Sequence, residues 1–178
     1  MMAMRIANYI SEEEAEFFRT YAEHAIANKS KQVSLFTKKE GRTKVDRAYY
    51  SVNSAFWLFD KIRKTAEDNW KVPITFREDA YAHIMHYKTG SKGLGWHADR
   101  NLGWVSASIN ITPEYMHEGG EFEIWNSKIS CPYRSLVMYD KSVKHRVTGV
   151  SGGEKMSLVL WLPKVGQEVS KGQAWRYK

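Results

Sequence analysis

Cysteine is nearly absent from this sequence, because Cys131 is the only one among its 178 residues. A single thiol cannot close a disulfide within the chain, which excludes the disulfide-stapled class of secreted domains and indicates a reducing compartment. The sequence also lacks a run of about 18 apolar residues, and its start lacks the apolar core of a secretory signal. These absences predict a soluble, cytoplasmic protein with no membrane partner.

Acidic residues are scarce relative to basic ones, with 20 Asp and Glu against 27 Lys and Arg, which leaves a net charge of +7. Much of the excess lies in residues 29–47, where seven Lys and Arg face only Glu40 and Asp46. We interpret this basic segment either as an exposed loop or as a lid that closes over substrate. The charge would also suit nucleic acid, but no stacking motif or helix-turn-helix accompanies it, so a nucleic-acid partner is disfavoured.

Helical patterns are confined to the N-terminal part of the chain. Ser11 and Glu14 form a capping box ahead of an apolar series at helical spacing. A second helix is predicted over residues 51–70, with an apolar stripe that runs from Phe56 to Ala66. Both helices are expected to support a sheet.

From residue 80 onward the pattern changes to short alternating strands separated by glycines and polar turns. Strands are predicted over residues 80–87, 105–112, 122–125, 135–139 and 156–162. This succession favours a mainly β, α+β chain in which N-terminal helices buttress a two-sheet jelly roll, also called a double-stranded β-helix. We expect a single domain over 1–178, with helical support over about 1–72 and the β core over about 73–165.

Two histidines and an aspartate have the spacing of a metal site. His97 and Asp99 are two residues apart, so on an extended strand both side chains can reach one ion, and His145 would arrive from a distant strand. Two imidazoles and one carboxylate leave the opposite positions of an octahedral ion open, as in non-haem Fe(II) sites. Zinc would tolerate the same ligands.

The segment after His145 favours iron over zinc. Lys155, Ser157, Val159 and Trp161 would share one face of an alternating strand. A lysine and a hydroxyl two residues apart on an otherwise apolar strand can bind a carboxylate, the lysine as a point charge and the serine as a neutral donor. A zinc hydrolase has no need of that pair, whereas an oxygenase with an acidic co-substrate does.

From about Tyr81 to Trp161 the chain resembles the 2-oxoglutarate and Fe(II)-dependent dioxygenases, and within them the prolyl 4-hydroxylase-like branch. The resemblance lies in an ordered set of motifs. Tyr87 stands ten residues before the HxD motif, a Gly-Gly-Glu-Phe turn occupies residues 119–122, and a lysine follows His145 by ten residues.

The resemblance implies roles for seven residues. His97, Asp99 and His145 would be the catalytic Fe(II) ligands. The distal carboxylate of 2-oxoglutarate would pair with Lys155 and accept hydrogen bonds from side chains near that lysine. The implied co-substrate residues are Lys155, Tyr87, Ser157 and Asn110. The acidic ligand is retained, which disfavours the halogenase variant of the family.

The implied reaction is hydroxylation of a carbon centre with consumption of 2-oxoglutarate and O2 and release of succinate and CO2, supported by ascorbate. A prolyl residue in a peptide or protein is the favoured substrate, and a free amino acid or other small metabolite is the alternative. A nucleic-acid-binding protein or oxidative nucleic-acid demethylase ranks last, because such relatives usually carry arginines after the second histidine. A cupin-like metal binder without turnover is the remaining alternative, and the sequence sets no oligomeric state.

Other residues near the motif are weaker candidates. Four that surround it in sequence could line a substrate entrance, although core packing suits the tryptophans as well: Trp96, Arg100, Trp104 and Trp125. The remaining histidines lack ligand spacing and are interpreted as structural or surface residues: His24, His83, His86 and His117.

Overall fold

A computed structural model describes residues 2–28 and 45–169 of the chain. Two helices and twelve strands are described within these ranges. The helices are α1 (Glu12–Ala27) and α2 (Phe56–Trp70). The strands are β1 (Ala3–Ile6), β2 (Val45–Asp46), β3 (Ala48–Val52), β4 (Ala82–Tyr87), β5 (Gly93–His97), β6 (Val105–Asn110), β7 (His117–Gly119), β8 (Phe122–Ile124), β9 (Leu136–Asp140), β10 (His145–Val147), β11 (Val150–Gly153) and β12 (Lys155–Leu162).

Helix α1 begins where the sequence predicts. The Glu14 amide donates to Ser11 Oγ at 3.0 Å, and the Ser11 amide donates back to the Glu14 carboxylate at 2.9 Å, so the capping box is confirmed. The helix buries Ala15, Phe18 and Ala22 against the sheet. The N-terminal cap and the apolar stripe therefore define this element together.

Helix α2 begins at Phe56, so the predicted start at residue 51 is wrong. Ser51 and Val52 instead belong to β3, whose backbone pairs with β4, and this pairing outweighs local helical periodicity. The predicted apolar stripe is also only partly buried. Phe59, Ile62 and Ala66 are in the core, whereas Phe56 and Trp57 are exposed, Trp57 by 61 %.

The strands form a jelly roll of two main sheets, as predicted. The major sheet has the order β1-β9-β6-β12-β4-β3 and the minor sheet the order β2-β5-β10-β8. Neighbouring strands are antiparallel, and β7 and β11 form a separate pair. Among the described residues the two main sheets stay distinct and do not close into a barrel.

The five predicted strands correspond to β4, β6, β8, β9 and β12, each within two residues at either end. The sequence did not predict β1 and β3, which lie in the N-terminal part of the chain and form the two edges of the major sheet. Nor did it predict the three-residue strand β7, which is too short for an alternating pattern to register, whereas the distant strand expected at His145 is confirmed as β10.

Two apolar clusters lie on the two faces of the major sheet. One cluster packs the helices against side chains such as Ile84, Ile109 and Leu158. The other lies between the major and minor sheets and contains Met85 and Val137. Side chains alternate along a strand, so on each strand every second side chain points into the space between the two sheets. We call this side of the major sheet its inner face, and the candidate site lies on it.

The basic segment predicted as a loop or lid lies largely outside the described residues, since 29–44 are not among them. Its last basic residue, Arg47, is described, and only 9 % of its surface is exposed. The prediction that the basic segment is exposed is therefore wrong at Arg47. In the described parts of the chain, no helix is both long enough and apolar enough to cross a membrane.

Candidate metal centre

His97 and His145 face each other across the antiparallel pair β5 and β10. His97 is the last residue of β5 and pairs directly with His145, the first residue of β10, and their rings are 4.1 Å apart at the centroids. Asp99 lies two residues beyond the end of β5, so the expectation that His97 and Asp99 share one extended strand is wrong. One ligand atom from each of the three residues lies within 4.8 Å of the others, a spacing that could hold a metal ion.

Both imidazoles are oriented by backbone carbonyls. His97 Nδ1 lies 2.8 Å from the Gly95 carbonyl oxygen, and His145 Nδ1 lies 3.0 Å from that of Val143. A carbonyl only accepts, so each Nδ1 carries a proton, and in the neutral ring the Nε2 atom keeps the lone pair that can bind a metal ion. His97 Nε2 is 3.3 Å from Asp99 Oδ1, and His145 Nε2 is 3.5 Å from Oδ2.

The Asp99 carboxylate is buried and held ionised. Ser106 Oγ donates to Oδ2 at 2.7 Å, and the Trp161 indole N–H donates to the same atom at 3.1 Å. Burial raises the pKa of Asp99, but the adjacent imidazoles and the Ser106 hydroxyl outweigh it and hold the pKa well below its usual range. Burial also lowers the pKa of His145, against the opposing charge of Asp99. These two shifts favour an ionised Asp99 and a neutral His145, the states that metal binding requires.

Ser106 and Trp161 as partners of Asp99 were not predicted. The alternation of β6 and β12 placed both side chains on inner faces, and that was the only signal in the sequence. Their contacts depend on how the Asp99 loop folds back onto the major sheet, which no local pattern encodes.

Substitution of Trp161 with phenylalanine is expected to weaken metal binding. Phe keeps the ring but removes the N–H that fixes Asp99 Oδ2, and loss of such an outer partner costs about 10–100-fold in metal affinity. Anaerobic titration with Fe(II) or Mn(II) measures the change. The matched control is Trp104→Phe, since Trp104 packs against the helical side of the sheet. Equal affinities for both variants would contradict a positioning role for Trp161.

Lys155 lies on the inner face of β12, opposite Tyr87 on β4. Its ammonium group is buried and donates a hydrogen bond to the Gly120 carbonyl oxygen. Burial lowers the pKa of Lys155, and the nearby Cys131 and Glu121 oppose that effect. No carboxylate of the described residues forms an ion pair with this lysine. A buried cation without a counterion is costly, so the position suits an anionic ligand.

Two glycines of the predicted turn make room for this lysine. Gly119 and Gly120 both have positive φ, 76° and 69°. A Cβ on Gly120 would lie 2.9 Å from Lys155 Cδ, and one on Gly119 would lie 2.1 Å from the Gly149 carbonyl oxygen. Side chains are therefore excluded here by both conformation and space, and the turn delivers a bare carbonyl to the ammonium group.

The other predicted co-substrate residues lie on the same inner face. Ser157 pairs with Asn110 on β6 and with Met85 on β4, two residues along the strand from the Lys155–Tyr87 pair. The Asn110 amide is already engaged, because its Oδ1 accepts the Thr112 N–H at 3.0 Å and its Nδ2 lies 3.4 Å from the Cys131 carbonyl oxygen. Asn110 thus has fewer open hydrogen-bonding groups than the sequence led us to expect.

The tryptophans flanking the motif do not line this face. Trp96 and Trp125 lie at 5.1 Å between ring centroids, with Arg146 stacked 4.6 Å from the Trp96 ring. On β10, His145 faces inward and Arg146 outward, which places this aromatic cluster on the outer face of the minor sheet. The expectation that Trp96 and Trp125 border the entrance is therefore wrong.

His83 is a buried histidine on the inner face of β4, at 5.3 Å from the Trp161 ring. Its Nε2 is 3.9 Å from Asp79 Oδ2, and Asp79 is itself paired with Arg77 at 2.9 Å. Burial lowers the pKa of His83 to about 4, with Asp79 opposing and Arg47 adding to the effect. The side chain is therefore neutral near pH 7.

The free energy of unfolding is expected to fall as the pH drops from about 6.5 to about 4, in part because of His83. In this interval His83 binds a proton in the unfolded chain but not in the folded chain. The resulting loss of unfolding free energy is about 3 kcal/mol. Urea titrations at several pH values, with His83→Gln as comparison, measure it. The variant should show a shallower pH dependence, and parallel curves would contradict the low pKa.

No family model matches the chain. Among solved structures, a prolyl-4-hydroxylase from Pseudomonas putida superposes with a TM-score of 0.69 at 15 % identity, over 91 % of this chain and 92 % of that one. A prolyl hydroxylase from Trichoplax adhaerens, solved in complex with a peptide of the hypoxia inducible factor, gives 0.69 at 11 % identity over 92 % and 84 %. The chain has the fold of the 2-oxoglutarate and Fe(II)-dependent oxygenases.

This oxygenase fold also hosts other reactions. A non-haem α-ketoglutarate-dependent carbocyclase from nogalamycin biosynthesis superposes with a TM-score of 0.66 at 11 % identity, over 97 % of this chain and 90 % of that one. At the level of sequence, a PKHD-type hydroxylase from Alteromonas mediterranea is 32 % identical over 62 residues. That match spans 33 % of this chain and only 27 % of the relative's length.

Proposed function

We propose that this chain is an Fe(II)- and 2-oxoglutarate-dependent dioxygenase that hydroxylates a carbon centre. The observation that carries the proposal is the convergence of His97, Asp99 and His145 within 4.8 Å, on the face between the sheets that also holds a buried lysine with no counterion among the described residues. The oxygenase fold supports it.

The donor set fits Fe(II). His97 and His145 present their Nε2 atoms and Asp99 presents an ionised carboxylate, which is the two-histidine, one-carboxylate set of non-haem iron enzymes. Iron and 2-oxoglutarate, once bound, would supply the oxidising chemistry that converts 2-oxoglutarate and O2 to succinate and CO2 and inserts one oxygen atom into a substrate C–H bond. The protein's own part is to bind, orient and shield these reactants.

The inner face of the major sheet would hold the co-substrate. Lys155 would pair with its distal carboxylate, as a buried ammonium group that has no acidic partner in residues 2–28 and 45–169. Tyr87 and Ser157 flank that lysine and can donate hydrogen bonds to the same carboxylate. Asn110 would contribute only after its present hydrogen bonds rearrange. Ascorbate would keep the iron reduced between turnovers.

A prolyl residue in a peptide or protein is the proposed substrate class. The likeness to two prolyl hydroxylases, one of them solved with a bound peptide, favours it. A free amino acid or another small metabolite is the second candidate, favoured by the likeness to the carbocyclase, which covers 97 % of this chain.

An anaerobic titration tests the proposed function. Fe(II) followed by 2-oxoglutarate should give a saturable visible charge-transfer band, and Zn(II) in place of Fe(II) should give none. Subsequent exposure to air should produce succinate. Absence of the band with Fe(II) demonstrably bound would contradict the co-substrate assignment and leave a metal-binding role only.

A further inference from the structure

A strip of buried polar groups without partners runs along strands β3 and β4, on the face between the sheets. Among the described residues, Nε and Nη1 of Arg47, the hydroxyl of Tyr49 and Nδ1 of His83 make no hydrogen bond. These side chains are 9 %, 6 % and 5 % exposed, respectively. Buried polar groups are nearly always hydrogen-bonded, so three unpaired groups together indicate that a ligand completes them.

The strip leads directly to the metal centre. The guanidinium carbon of Arg47 is 5.9 Å from the Tyr49 ring, and that ring meets His83 edge-on at 5.0 Å. His83 in turn lies against Trp161, whose N–H is bonded to Asp99. Contacting side chains therefore connect Arg47 to the metal centre.

The strip carries one uncompensated positive charge. Arg47 is permanently ionised, and no described acidic residue forms an ion pair with it. The nearby Asp79 is already paired with Arg77. His83 is neutral near pH 7, so it adds a hydrogen-bonding group and no charge. A negatively charged group of a ligand would be the missing partner.

Arg47 is separate from the cation that 2-oxoglutarate would use. The groups that act electrostatically on Lys155 are Cys131, Glu121 and Glu114, toward one side of the inner face. Arg47 acts on Tyr49 and His83, and it is hydrogen-bonded to Tyr87, which lies between the two cations. Two buried cations on either side of Tyr87 suit two different anions.

We propose that Arg47, with Tyr49 and His83, binds a carboxylate of the molecule that is hydroxylated. This inference rests on the proposed function and narrows its substrate class. The carboxylate belongs either to a free amino acid or organic acid, or to an acidic side chain near the target residue of a peptide. Both sources present the same group to Arg47.

The test pairs carboxylate substrates with their carboxamides. Free proline and other amino acids form one arm, proline-containing peptides with Asp or Glu form the other, and each is compared with its amide. Binding is read from the perturbation of the Fe(II)–2-oxoglutarate charge-transfer band and turnover from succinate. In the wild-type protein, carboxylates should be favoured over amides by about 30-fold or more, because the amide leaves a buried charge unpaired.

Arg47→Met should remove this preference while raising half-saturation by 2-oxoglutarate far less than Lys155→Met does, because it removes a partner of Tyr87 and leaves Lys155 in place. Methionine replaces an unpaired buried charge with an apolar chain, so the fold should be retained or stabilised. Tyr49→Phe, which removes only a hydroxyl, should reduce the preference in the same direction. A carboxylate ligand should also raise the melting temperature of the metal-free wild-type protein and not that of Arg47→Met.

Three results would overturn the inference. The first is a carboxylate preference that survives Arg47→Met, and the second is that no carboxylate perturbs the band. The third is a large rise, in Arg47→Met, of the 2-oxoglutarate concentration needed for half-saturation, which would assign Arg47 to the co-substrate. In each, the wild-type charge-transfer band is intact. Failure of the proposed function itself would instead abolish that band, so the two failures are distinguishable.

Discussion

Replacement of Lys155 with methionine should raise the concentration of 2-oxoglutarate needed for half-saturation by about 30-fold to several-thousand-fold. Removal of one partner from a buried, hydrogen-bonded charge pair costs about 2–5 kcal/mol, and each 1.4 kcal/mol corresponds to about tenfold. Methionine keeps most of the aliphatic packing beside Gly120, so the loss reports the charge. The charge-transfer band followed during anaerobic titration measures it.

The matched control is Lys64→Met on the exposed surface of α2, where the ammonium group pairs with Asp60 at 3.1 Å. This change should leave 2-oxoglutarate binding unaltered. Lys155→Arg keeps the charge but needs more room beside Gly120, so it should restore part of the affinity. Unchanged half-saturation in Lys155→Met would show that the dicarboxylate is held elsewhere.

Replacement of His145 with alanine should abolish tight Fe(II) binding and lower succinate production by about 1,000-fold or more. The variant loses a direct ligand atom, which is more severe than the about 10–100-fold cost of losing an outer partner. It also removes one neighbour that keeps Asp99 ionised. Calorimetric titration with Fe(II) or Mn(II) under anaerobic conditions measures the affinity.

The control for this variant is His24→Ala, because His24 lies on the exposed surface of α1. It should bind metal as the wild-type protein does. Thermal unfolding in the absence of metal separates loss of the site from loss of the fold. Retention of wild-type Fe(II) affinity by His145→Ala would refute the three-residue centre.

The sequence was sufficient to anticipate the residues that meet between the sheets. His97 and Asp99 are linked by local spacing, and Lys155 by its alternation with Ser157, so each could be placed on a face without knowledge of the fold. Arg47 could not be found in this way. It lies between β2 and β3, where the chain passes from the minor to the major sheet, and its burial follows from that crossover alone. Local composition predicted the reverse.

The same limitation explains the error at α2. Phe56 and Trp57 fit an amphipathic stripe, yet β3 takes the preceding residues, and both rings lie exposed in the first turn of the helix. Long-range strand pairing decides such boundaries, whereas the capping box of α1 is complete within four residues.

The pairing of His97 with His145 joins two strands that are far apart along the chain. An ion bound by both side chains would cross-link β5 and β10, since it can be bound only when those strands are in register. Metal that binds the folded state alone shifts the folding equilibrium, by about 2.7 kcal/mol at a free concentration 100 times the dissociation constant. Iron supply in the cell would then govern how long each molecule survives proteolysis as well as how fast it turns over.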